Sequence, residues 1–117
     1  MLTATTLEDT DVVEAAYDGR LDDESTAALK QRMDEVAGRY GHARLLLTVE
    51  NVAAVEPRAM LEDLTGARVL DRVDRYALLA DAGWIDKVAR AGHAVLPVDG
   101  RVFGRHERGE AMAWLTS

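Results

Sequence analysis

Two hydrophobic periods alternate along this chain, one near two residues and one near 3.6, which is the pattern of an α/β domain. Leu2 to Thr6 reads as a short strand. Asp11 to Tyr17 reads as a second, with Val13, Ala15 and Tyr17 on one face and Glu14 on the other. Asp18-Gly19 then turns the chain. From about Asp22 to Tyr40, the residues Leu29, Met33, Val36 and Tyr40 trace one apolar stripe and predict a helix. Asp22 or Asp23 is placed to cap its start, and Gly41 fits the left-handed position past its end. Leu45 to Val49 is a nearly continuous apolar run, as in a strand buried on both faces. Pro57 suits the first turn of a helix running to about Leu70, with Met60, Leu64 and Ala67 inward. Tyr76 to Ala80 predicts another strand, and Gly83 to Ala91 a helix that buries Trp84, Ile85 and Val88. Arg101 to Arg105 predicts the last strand, and Glu107 to Leu115 a closing helix with Ala111, Trp114 and Leu115 inward. The order is β-β-α-β-α-β-α-β-α. Right-handed crossovers make the later strands of this mixed sheet largely parallel, with the first strand antiparallel at an edge.

Length adds that residues 1–117 form one domain. Charge removes one class of partner. Against 14 basic residues stand 21 acidic ones, and the formal charge of -7 repels a phosphate backbone. Basic residues are scattered beside acids, as in Asp71-Arg72 and Asp74-Arg75, so nucleic-acid binding is not expected. With no cysteine, disulfides, thiolate catalysis and cysteine-held metals are excluded. Met1 to Glu14 lacks the basic start and apolar run of a signal peptide. No apolar run approaches the ~18–20 residues of a membrane span, so a cytoplasmic location is the expectation.

Candidate chemistry is thin. Ser25 lies in the first turn of a helix and Ser117 ends the chain, and neither occupies a strand-to-helix elbow between glycines. His42, His93 and His106 fall at helix ends or loops. His106 with Glu107 and Glu110 matches no established ligand spacing and reads as surface. Gly100 and Gly104 flank a strand rather than opening a helix after one, so no phosphate loop is present. No catalytic residue, metal or cofactor is expected, and the chain does not read as an enzyme. Tyr76, Trp84, Phe103 and Trp114 either pack the core or line an apolar pocket between helices and sheet.

The stretch Leu45 to Leu64, with Asn51-Val52 after the apolar strand, resembles the central strand, loop and helix of STAS domains, the fold of anti-sigma-factor antagonists. The whole chain is similar to the stand-alone SpoIIAA-like family. The features shared with that family are Gly19-Arg20-Leu21 before the first long helix, Trp84 opening a later one, and Ala111-Met112-Ala113-Trp114-Leu115 closing the chain. The resemblance implies a right-handed β-α superhelix with a mixed sheet of about five strands and about four helices. It departs at one point. Where antagonists carry an Asp followed by a phosphorylatable serine, this chain has Glu56 and Pro57, then Arg58 and Ala59. Proline has no hydroxyl, so that phosphorylation switch is absent.

What the resemblance implies is a non-catalytic regulatory or protein-interaction domain, homodimeric, with Glu56, Pro57 and Arg58 as candidate partner contacts. An open sheet with helices mostly on one side would leave apolar surface for a second copy to cover. The alternative is a carrier or sensor of a small lipid-like ligand. Its pocket candidates are Met60, Leu64, Trp84, Phe103 and Trp114, with methionine suited to an adaptable wall.

Overall fold

The computed structural model describes residues 2–6, 10–17, 23–50, 60, 62, 68–69, 71–91 and 99–117. Five strands form one sheet: β1 (Leu2–Thr6), β2 (Val12–Tyr17), β3 (Ala43–Val49), β4 (Val73–Ala80) and β5 (Asp99–Gly104). They lie side by side in chain order. β1 runs antiparallel to β2, while β2, β3, β4 and β5 are mutually parallel. The edge position and direction of β1 are those expected from the sequence. Among the described residues the helices are α1 (Asp23–Tyr40), α2 (Ala82–Ala91) and α3 (Arg108–Leu115). The helix expected over 57–70 falls almost wholly outside the described residues, though Met60 and Glu62 are helical.

Side chains along a strand alternate between faces, and the sheet accordingly separates two clusters. On one face Val13, Ala15 and Tyr17 of β2 meet Leu45, Leu47 and Val49 of β3 and Tyr76, Leu78 and Ala80 of β4. Leu29, Met33, Val36 and Ala37 of α1, Trp84 of α2, and Met60 and Val69 close over them. On the other face Val12, Leu46, Ala77, Leu79 and Phe103 are covered by Ala111 and Leu115 of α3, with Met112 and Trp114 at the margin. Leu46 therefore points away from Leu45 and Leu47, and all three are fully buried. The nearly continuous apolar run of β3 arises because its strand has a core on each side.

Local chemistry sets the helix ends. Gly41 has φ +86, and its N–H donates to the Ala37 carbonyl at 2.8 Å, closing α1 as a left-handed cap. Asp81 precedes α2, and its Oδ1 accepts from the Trp84 N–H at 3.1 Å, satisfying one of the free donors of the first turn. That bond also holds the tryptophan over the core.

Three sequence-based expectations need correction. Tyr40 continues the arithmetic of the α1 stripe, yet as the last residue of the helix it is 40% exposed, and Ala37 is buried in the stripe instead. Trp114 is only half-buried, at the margin of its cluster. The apolar sheet surface expected to lie open for a second copy is closed by α3 over β3, β4 and β5.

Candidate functional site

The pocket candidates divide between the two faces. Met60 and Trp84 are buried in the cluster beneath α1 and α2. Phe103 and Trp114 belong to the cluster beneath α3. The sheet stands between the pairs, so the four do not wall a common space. Leu64, the fifth candidate, lies outside the described residues.

Each pair has its own surroundings. The rings of Phe103 and Trp114 meet at 6.1 Å between centroids with a 53° tilt, a favourable aromatic arrangement. Guanidinium groups bracket them: Arg75 lies 5.2 Å from the centroid of the Trp114 ring and Arg101 5.3 Å from that of Phe103. Arg75 also donates to the Trp114 carbonyl at 3.0 Å and to Ser117 Oγ at 2.9 Å, fastening the C-terminal end of α3 to β4. At the other end of the helix, Arg108 donates to both carboxylate oxygens of Glu14 on β2, at 3.1 and 2.8 Å. That fork holds the Glu14 carboxyl below its ordinary pKa, against the smaller opposing effect of burial.

Beneath α1 and α2 the surroundings are apolar, with one exception. Tyr76 is buried, and its hydroxyl has no hydrogen-bond partner among the described residues. Its ring crosses β5 so closely at Gly100 that a Cβ there would stand 2.6 Å from the ring's Cζ. Burial pushes the phenol well above the ordinary tyrosine range, so it stays neutral.

Polar groups converge at the amino end of the parallel strands. Asp11 Oδ2 lies 2.7 Å from His42 Nε2 and 3.5 Å from an Arg44 nitrogen, while Asp74 approaches the same guanidinium at 3.8 Å. Arg44 Nε is buried without a partner among the described residues. Sequence reasoning missed this cluster because its members come from the starts of three strands distant along the chain. Ligand crevices of such sheets lie at the opposite, carboxyl end. Among the described residues no three His, Asp or Glu groups could hold a metal ion.

The partner-contact candidates Glu56, Pro57 and Arg58 lie outside the described residues. The segment that carries them departs from the carboxyl end of β3, the middle strand, where the Glu50 N–H donates to the Tyr17 carbonyl of β2 at 2.7 Å. Among the described residues no helix is long and apolar enough to cross a membrane.

No curated protein and no solved structure matches the chain. A family model described as SpoIIAA-like matches residues 12–116, from the first parallel strand through the closing helix. With nine-tenths of its length inside that match, the chain belongs to the SpoIIAA-like family.

Proposed function

We propose that this protein is a non-catalytic regulatory or protein-interaction domain that works as a homodimer and lacks a phosphoserine switch. The observation that carries the reading is the SpoIIAA-like match from β2 through α3, on an α/β sheet of the expected order. Glu56, Pro57 and Arg58 are the proposed partner contacts, because their segment follows the carboxyl end of the central strand. With Pro57 in the place of the modifiable serine, the partner reads a fixed surface rather than a phosphate.

Native mass spectrometry of the gently purified chain tests this reading. The expected result is a dimer mass without excess, with a protein partner captured by the wild type and lost with Glu56→Lys/Arg58→Glu. A monomer at micromolar concentration sinks the homodimer. A reproducible extra mass of a few hundred daltons, lost on denaturation, would replace the interaction reading with that of a lipid-like carrier.

A further inference from the structure

The two edges of the sheet are unlike. β5, at one edge, runs Asp-Gly-Arg-Val-Phe-Gly, with two charges and two glycines among its six residues. Charges and glycines are the devices that keep an edge from pairing with another chain. β1, at the other edge, is Leu-Thr-Ala-Thr-Thr, with no charge, glycine or proline, and three of its five residues are β-favouring threonines. One side of β1 is paired with β2 throughout its length. The order of the sheet leaves its other side as the boundary.

We infer that β1 is the homodimer contact: it pairs antiparallel with β1 of a second copy about a two-fold axis through Ala4. This rests on the homodimer reading and names its surface. Three observations select a second copy as occupant. First, the strand is self-complementary in this register. Position 2 falls opposite position 6 of the partner strand, Thr3 opposite Thr5, and Ala4 opposite Ala4, which gives two threonine pairs around a small central residue. Second, two chains of charge -7 repel, and β1 is a place where neither presents a charge. Third, among the described residues Tyr40 is the sole large apolar side chain exposed, so no described patch offers side-chain burial instead. Main-chain hydrogen bonding at an edge needs no such patch.

Five paired residues are a small contact. α1 packs against β1.

Sedimentation velocity of the full chain across a concentration series tests the contact with two charge variants. Thr3→Lys/Thr5→Lys puts like charges opposite each other at both pairs and is expected to weaken the dimer about tenfold. Thr3→Glu/Thr5→Lys puts opposite charges there and is expected to restore it, in a salt-sensitive form. Both keep the register in which position 5 faces Glu14 and position 3 faces Ala16 of β2. Amide exchange on the unsubstituted chain supplies an independent reading, with protection over residues 2–6 rising with concentration. A dimer untouched by the lysine pair, a Glu/Lys pair that stays monomeric while folded, or exchange independent of concentration overturns the β1 contact and leaves the homodimer standing. A wild type that is monomeric throughout overturns both.

Discussion

The two faces of the sheet are built by different means. Under α1 and α2 the contact is almost entirely apolar, and Trp84, Tyr76, Met33 and Met60 fill it. Under α3 a helix of eight residues covers a narrow strip, and polar groups at its margins do much of the fastening: Arg108 to Glu14 at one end and Arg75 to the Trp114 carbonyl and Ser117 at the other. Apolar burial is non-directional and scales with area, whereas charged contacts at a half-exposed margin contribute little each and are screened by salt. The first face therefore carries the stability of the domain, and the second carries the placement of one helix.

The largest test of that contrast deletes one large side chain from each face. Trp84→Ala is expected to cost about 3–5 kcal/mol, because the tryptophan is fully buried between α2 and the sheet and leaves a cavity that rigid neighbours cannot close. Leu115→Ala is expected to cost about 2 kcal/mol, the low end for a buried leucine, since a short terminal helix can settle into the space. Urea denaturation of both variants compares them directly. Equal losses would mean that α3 is bound as rigidly as α1 and α2.

A smaller effect of opposite sign comes from the flaw in the apolar face. The Tyr76 hydroxyl is buried with no partner among the described residues, and an unsatisfied group of this kind costs about 1–3 kcal/mol relative to a satisfied one. Tyr76→Phe removes the orphan and keeps the ring that lies over Gly100. The variant is expected to be more stable than the wild type by about 1 kcal/mol, read as a raised Tm. A loss of stability would show that the hydroxyl is hydrogen-bonded in solution, and the face would then be less uniformly apolar than its packing indicates.

Much of this architecture was legible in the chain. The nearly continuous apolar run of Leu45 to Val49 announced a strand with a core on each side, and the glycine after Tyr40 marked the end of α1. The division of the aromatic candidates was not legible, and the reason is parity. Val102 and Phe103 are adjacent on β5, so they face opposite ways, and one residue of register decides which joins Trp84. Pairing of Leu79 with Phe103 settles it, a contact between strands 24 residues apart that no local period encodes. The cluster of Asp11, His42 and Arg44 was hidden in the same way, by the parallel pairing of β2 with β3 across an intervening helix. The stripe of α1 failed at Tyr40 for a simpler reason. Periodicity places a residue on a face but does not say how far along the helix that face stays covered.

The smallest effect belongs to the margin of the second face, where Glu14 meets Arg108. The fork from Arg108 lowers the Glu14 pKa in the folded protein relative to the free side chain. A carboxylate depressed in this way contributes stability that is fully present above its unfolded pKa and is lost as pH falls through its folded one. Arg108 is half exposed and the pair is open to solvent and salt, so Glu14→Gln is expected to cost at most about 1 kcal/mol at neutral pH and low ionic strength. The gap between variant and wild type should close on acidification below the ordinary glutamate range, and also with added salt at constant neutral pH. Melting curves across pH and salt read both. A gap that survives salt but closes with acid would mean that the hydrogen-bonded fork matters more than the charges it joins. A gap that survives both would place the cost in packing, and the two faces would then be held by the same kind of force.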